Sequence, residues 1–529
     1  MRGLRLPKKT IARVSFLTDD AGTLTIFAVV AFALTIAVIG LIMDVGRVMN
    51  VHSQAQSYAD RVALAAAAEL DKRPDALDRA VRAAEGADAL VKPGFRLTLS
   101  GDSTVDVAKL TFMSALGPDP ENPYTPSPVA GDVVTATWTP GGGLQLSNGV
   151  SANEAVSKTT FVLVDTTRET ENYILLPLLS WLSPGGATST TVAPQALAGF
   201  DRQLCNYPPI FMCNIAEATN GVGAPFDPIR GQMIKAKAGG GAGGYGPGNF
   251  GLLDAPNGQG AAAIREYMAR RDPNTLCTDE TIDTKPGAST GPVGQGMNVR
   301  MDIYDGPMSG NKGNSQYAPA ADVLKGIKAG VNGCPSNTKS KTTTPFPRDN
   351  CFMPPGTWPA GIPSGAGVGC ASFNGSSRAG DGSWDRSDYW NTNHNGVALP
   401  AGYNSMTRYD TYRYETEAPQ LTNTADEKGA PTCSASTPIS DRTRDRRVLQ
   451  IAVVNCLEAA AEGNPIQGNT TVGANVVGYL DVFLTEPVGN DSWWCVNAPC
   501  NQDLYVEVIG YVGANTRNSV LHEYPVLYR

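Results

Sequence analysis

From Ala21 to Met43 the chain reads AGTLTIFAVVAFALTIAVIGLIM, 23 residues without a charge. At about 1.5 Å per residue the run spans roughly 34 Å, the thickness of a hydrocarbon core, and predicts a transmembrane helix. The helical pattern continues beyond it. Residues 45–70 contain no Pro and only Gly46, and Ala63 to Ala68 is nearly all strong helix former. Ala55, Ala59, Val62, Ala66 and Leu70 recur at three- and four-residue steps as one apolar face, with Gln54, Gln56, Asp60 and Arg61 turned elsewhere. Such a face suits a partner helix or the chain's own sheet. Pro74 ends or kinks the helix, and Asp75 is placed to cap a second one over Ala76 to Leu90.

The periodicity then changes to that of strands. Phe95 to Ser100, Val133 to Trp138, Thr159 to Val164 and Thr188 to Ala198 are rich in β-branched residues and separated by turns such as Thr139 to Gly143. A Gly-, Ser-, Asn- and Pro-rich stretch, Cys334 to Gly429, reads as irregular. Strong strands return at Val448 to Cys456, Asn475 to Leu484 and Leu504 to Val512. The fold class expected is α+β: one membrane helix extended into a helix on an antiparallel sheet, then a disulfide-rich, loop-rich body containing β-structure. The expected divisions are a basic tail (1–20), the span (21–43), Ala-rich helices (44–92), a sheet region (93–200) and a cysteine-containing domain (201–529).

Charge and cysteine usage place these elements. Arg2, Arg5, Lys8, Lys9 and Arg13 precede the span and predict a cytoplasmic N-terminus. No small-x-small cleavage site follows it, which disfavours a removed secretory signal, and Ile174 to Leu182 is too short for a second span. The bulk is therefore expected in the periplasm of a bacterial cell, on the cytoplasmic (inner) membrane. Charged residues make up 17% of the chain, alongside 57 Gly and 38 Pro, as suits a loop-rich extracytoplasmic body. A net charge of −8 argues against nucleic acid as a partner. All ten cysteines follow the anchor: Cys205, Cys213, Cys277, Cys334, Cys351, Cys370, Cys433, Cys456, Cys495 and Cys500. Without a C-x-x-C pair they read as disulfides rather than a zinc site, and their pairing is not given by spacing.

Candidate chemistry is sparse. His52, His394 and His522 are isolated. Gly239 to Gly251 lacks the Gly-Lys-Ser/Thr ending of a phosphate cradle. Asp381, Ser383, Asp385, Ser387 and Asp388 offer hard oxygens for Ca²⁺, but the spacing favours a solvated turn. Trp384, Tyr389 and Trp390 suit a glycan platform or, more simply, buried ring packing. Asp441 to Arg447, DRTRDRR, reads as a solvated turn, and Glu486 has no second carboxylate paired with it in sequence. No cofactor, metal, small-molecule substrate or catalytic constellation is expected.

Gly22, the apolar span, and Met43 to Leu70 (MDVGRVMNVHSQAQSYADRVALAAAAEL) resemble the TadG-like family of the tight-adherence (Flp) pilus machinery. Asp44, Gly46, Arg47, Gln54, Ala59, Asp60, Ala63, Leu64 and Ala65 to Ala67 fit its pattern in order. Gly246 to Asp254, Gly291 to Gly306, Arg446 to Cys456 and Asp481 to Pro487 also resemble longer members. The resemblance implies an accessory, non-catalytic role in pilus assembly, with the membrane and other pilus-assembly or pseudopilin-like proteins as partners. Pseudopilins of this system carry Glu five residues after the cleaved Gly. Here Phe27 stands there, so the anchor is expected to stay whole. The metal-site string of a von Willebrand A domain is also missing: Asp381-Gly-Ser383-Trp-Asp385 has the wrong third member. The alternative function is a periplasmic or surface adhesin that binds through Cys334 to Gly429.

Overall fold

The computed structural model describes residues 20–91, 105–117, 133–167, 169–175, 177, 188–205, 210–238, 245–253, 260–271, 277–278, 281–285, 290–330, 333–340, 343–352, 371–373, 376–418, 429–435, 444–466, 474–488, 504–512 and 521–528. Residues 1–19 of the basic tail, the strand expected at Phe95 to Ser100 and the glycine-rich residues 239–244 lie outside them.

Asp20–Ala67 is one helix of 48 residues, about 72 Å long at the usual rise. It is long and apolar enough to cross a membrane. Ile26, Phe27, Val29, Phe32, Ile36 and Ile39 are exposed, and from Val51 onward the same helix is buried on one side. After Pro74 the chain turns into a second helix, Ala76–Val91. Asp75 precedes it, and its carboxylate accepts Arg79 Nε at 2.9 Å.

Both helices pack on an antiparallel seven-stranded sheet. Its order is Cys277–Thr278, Gln195–Cys205, Phe161–Thr166, Val107–Ala115, Val133–Thr139, Gly143–Leu146, and Leu521–Tyr528 also pairs with Gln195–Cys205. Ala55, Ala59, Val62, Ala63, Ala66 and Leu70 from the first helix, and Leu77, Ala80 and Ala84 from the second, share one core with Leu110, Phe112, Val162, Val164, Ala196 and Ala198. The apolar face read from the sequence therefore lies on the chain's own sheet. The expected strand 188–198 is divided at Ala193-Pro194 into Ser189–Val192 and Gln195–Cys205, since Pro cannot donate to a ladder. The last strand comes from the far end of the chain, so this sheet draws on residues from both sides of the division placed at residue 200.

A second, mixed sheet of ten strands forms the body. Six of its strands make a ring: Asn249–Leu253, Ile210–Cys213, Val448–Val454, Ala474–Leu484, Leu504–Tyr511 and Met233–Ala238, which pairs back with Asn249–Leu253. Two of the six contacts, Val448–Val454 with Ile210–Cys213 and Met233–Ala238 with Asn249–Leu253, are parallel. Closure leaves those strands no free edge. Ile210, Ile234, Phe250, Ile451, Val482 and Val506, one from each strand, meet in a single core together with Ile264 and Met297 from helices Ala261–Ala269 and Thr290–Val299.

The stretch Cys334 to Gly429, expected to be irregular, contains helices Arg386–Asn393 and Arg408–Glu417 among its described residues. Side-chain caps explain both. The Asp385 carboxylate accepts Asp388 N, and Thr407 and Asp410 form a reciprocal capping box.

Candidate functional site

At the end of the exposed apolar span the helix meets the body. Asp44 is 2% exposed, and its carboxylate accepts the backbone N–H groups of Ile174 at 3.1 Å and Leu175 at 2.8 Å. Arg47 lies 3.9 Å from Asp44 and 4.0 Å from the buried carboxylate of Glu171. One turn earlier, Gly40 faces Leu175: a Cβ at Gly40 would stand 3.1 Å from Leu175 Cβ. Gly46 is different. A Cβ there meets nothing within 4 Å among the described residues, so none of them requires glycine at that position.

Above this exit the helix is tied laterally. Gln56 Nε2 donates to the Gln195 carbonyl at 2.7 Å and to Asp60 at 2.9 Å, while Gln54 bonds Asn50 at 3.2 Å. The Tyr58 hydroxyl donates to Asp88 on the second helix. Burial, then the Asp88 carboxylate, pushes that hydroxyl well above its ordinary pKa. Ala59 and Ala63 are fully buried and Leu64 is half-buried, so the small residues of the motif set how closely helix and sheet approach. Cations then join the first sheet's layer to the second. Lys72 Nζ reaches the Val476 carbonyl at 3.4 Å, Arg73 stacks 4.3 Å over the Tyr511 ring, and Lys158 bridges Glu154, Glu458 and Glu462.

The body is organised around buried charge. Arg408, Asp349 and Glu507 are all fully buried. Arg408 donates to Glu507 Oε2 at 3.0 Å, to Asp349 Oδ1 at 2.5 Å and to the Pro347 carbonyl at 2.8 Å. Glu507 also accepts the N–H groups of Arg408 and Tyr409, and Asp349 those of Met233 and Gly382. Beside this triad, Phe346, Trp384, Tyr389, Tyr412 and Phe483 form an aromatic cluster, with Arg447 set 4.5 Å from the Phe483 ring and 4.9 Å from the Tyr412 ring.

Under the cluster, Tyr389 Oη donates to Glu415 at 2.9 Å and His394 Nε2 lies 2.6 Å from Glu415 Oε1. Burial pushes the Glu415 carboxyl up to about 8 and, with the Glu415 charge, that of Asp322 to about 7; it holds the His394 imidazole below its ordinary value. A second cradle stands at Asp302, whose backbone is left-handed at φ 62°. Its carboxylate accepts the N–H groups of Thr432, Cys433 and Ser434 at 2.7, 2.8 and 3.0 Å, and so fixes the loop that carries Cys433. These ionisable groups are screened from solvent, and Glu415 and Asp302 are held by protein partners, whereas Asp322 accepts Leu324 N through one carboxylate oxygen and leaves the other without a hydrogen bond among the described residues.

One sequence reading changes. Asp441 to Arg447 is not simply a solvated turn, because Arg446 and Arg447 are buried. Arg446 donates to the carbonyls of Ala318, Arg270 and Ala269, and Arg447 to those of Leu484 and Thr485. A run of charges hides two interior residues because each guanidinium satisfies carbonyls at strand and helix ends. Trp384, Tyr389 and Trp390 are buried in ring packing, the simpler of the two expectations. Asp381, by contrast, is exposed and closes a local turn onto Ser383. Glu486 pairs with Arg348 through two bonds, of 3.1 and 2.6 Å.

Cys213 and Cys456 stand at disulfide distance, 1.98 Å, as do Cys334 and Cys433 at 1.93 Å. Cys351 is also disulfide-bonded. Cys205 and Cys277 face each other in register on adjacent strands. Cys370, Cys495 and Cys500 lie outside the described residues. Among the described residues, no group of His, Cys, Asp and Glu is placed to hold a metal ion. Sequence reading overlooked Arg408, Glu415 and Asp302. The capping box at Thr407 and Asp410 was the available signal for the helix that carries the first two.

The fold and this exit define an α+β protein hung from one long N-terminal helix, apolar in its first half. Residues 22–69 match the family model for Flp pilus-assembly TadE/G-like proteins, the segment and family that the sequence resemblance indicated. No curated protein matches the chain. No solved structure matches it either.

Proposed function

We propose that this chain is a membrane-anchored accessory protein of Flp/Tad pilus assembly, acting by docking in the envelope rather than by catalysis. The observation that carries the reading is the coincidence of the matched segment, residues 22–69, with the helix Asp20–Ala67 that runs from an exposed apolar half into the core of a sheet. In this reading the helix spans the cytoplasmic membrane once, with the basic tail inside and the rest periplasmic. The helix on an antiparallel sheet acts as a pilin-like stalk, and the ring-closed, disulfide-braced body presents surfaces to other pilus-assembly or pseudopilin-like proteins. In this reading the units keep the divisions at residues 20, 43, 92 and 200, with Gln195–Cys205 straddling the last of them and Cys277–Thr278 and Leu521–Tyr528 returning to the stalk's sheet. The buried Arg408–Asp349–Glu507 triad and the cross-sheet cations suit a part that must hold its shape under load.

The test is an in-frame deletion followed by counting surface pili. Loss of pili, restored by the full chain but not by a body exported without its span, is expected. Normal piliation without the gene contradicts the reading.

A further inference from the structure

The loop at Ile174 and Leu175 has an unusual combination of properties. Ile174 is 56% exposed, yet its N–H and that of Leu175 are both taken by the buried Asp44 carboxylate. The loop sits beside the apolar span rather than above it: Leu175 covers Gly40, about 6 Å before Asp44 along the helix. Exposed apolar residues Leu41, Ile42 and Met43 lie at the same level of the helix. Arg47 and Glu171 lie on the body side and form a charged rim, and Tyr173 is half-buried next to them. Water would satisfy two loop amides without help. Lipid would not, and an unsatisfied amide in hydrocarbon costs several kcal/mol.

We propose that Ile174 and Leu175 form a lipid-seating wedge that enters the acyl–headgroup boundary of the leaflet on the body's side, with Asp44 supplying the hydrogen-bond acceptors that the bilayer lacks. The occupant of this face is phospholipid, because the face continues the exposed apolar surface of the span at the same depth. The wedge gives the anchor a second contact, so that the stalk leaves the membrane at a set tilt and rotation instead of swivelling on one helix. Asp44 is a positioning residue here. Its carboxylate, hydrogen-bonded by two amides and 3.9 Å from Arg47, can stand at the end of the span where a free carboxylate would be costly.

The inference rests on the span lying in a bilayer, and the test separates the two claims. Ile174→Cys, Met43→Cys and Leu146→Cys are labelled in the unreduced full chain with an environment-sensitive fluorophore. Each protein is reconstituted into phosphatidylcholine–phosphatidylglycerol vesicles carrying a shallow doxyl-lipid quencher. Quenching at Ile174 and Met43 at least about twofold above that at Leu146, on the sheet edge, is expected. Adding Asp44→Ala should abolish quenching at Ile174 and leave Met43 quenched. Quenching at Met43 but not at Ile174 overturns the wedge. So does a blue-shifted but unquenched Ile174 label, which would mean that a second copy of the chain covers the face. Absence of quenching at both positions overturns the span, and the wedge with it.

Discussion

Replacing Arg408 with Met removes the cation from a triad whose members are all fully buried. The side-chain volumes are similar, so little cavity is made. Four polar contacts are lost: those to Glu507, Asp349 and the carbonyls of Pro347 and Gly231. Both carboxylates remain buried, each with only backbone N–H partners. Breaking such a pair from one side costs about 3–5 kcal/mol, most of it the desolvation of the charges left behind. Burial already pushes the Glu507 carboxyl above its ordinary value with Arg408 present, so its loss pushes it further in the same direction and makes the variant more sensitive to high pH. Urea denaturation of the full chain in detergent, followed by tryptophan emission, reads the effect directly, because Arg408 Cζ lies 5.0 Å from the Trp384 ring. Adding Asp349→Asn and Glu507→Gln to Arg408→Met should recover much of the loss, since no charge is then stranded. A single-variant cost below about 1 kcal/mol would refute the view that this triad braces the body.

Three further outcomes follow from the same geometry. Glu415 and Asp322 have folded-state pKa values raised to about 8 and about 7, so the stability they contribute is complete below their ordinary values and declines as pH rises through the raised ones. The melting temperature should therefore fall between about pH 5 and 8, and Glu415→Gln should flatten that decline; a profile as steep as wild type would count against it. Ala59→Leu overfills the helix–sheet contact and should cost about 1–3 kcal/mol in the same denaturation assay, whereas Arg61→Leu on the exposed face should change little. Replacing Cys213 and Cys456 together with Ser should cost about 2–5 kcal/mol, because that bridge closes a separation of 243 residues and pins the strand Ile210–Cys213 beside Val448–Val454.

Local periodicity revealed the stalk because its physics is local. The Ala55-to-Leu70 stripe follows helical spacing, and its small residues are the ones the sheet requires. Strands at Val133, Phe161, Val448, Ala474 and Leu504 were equally plain from β-branched content. What escaped depends on long-range partners. The central strand Val107–Ala115 buries both faces, so no alternation marks it. The return of Leu521–Tyr528 to the first sheet and the ring closure by Met233–Ala238 with Asn249–Leu253 leave no trace in local pattern. Arg446 and Arg447 read as solvated because charge usually is, and only the carbonyls they cap, far away in sequence, show otherwise. At the helix exit, Asp44 and Arg47 stood out in the sequence, but the amides of Ile174 and Leu175 that Asp44 serves are about 130 residues away and could be found only in three dimensions.

The placement of the chain across the envelope is tested most directly by a reporter fused after Arg529, active only outside the cytoplasm, read together with blocking of cysteines by a membrane-impermeant maleimide in intact spheroplasts before and after reduction. An active reporter, with thiols that become reactive only after reduction, is the expected result. A silent reporter with free thiols shielded behind the membrane would contradict the account.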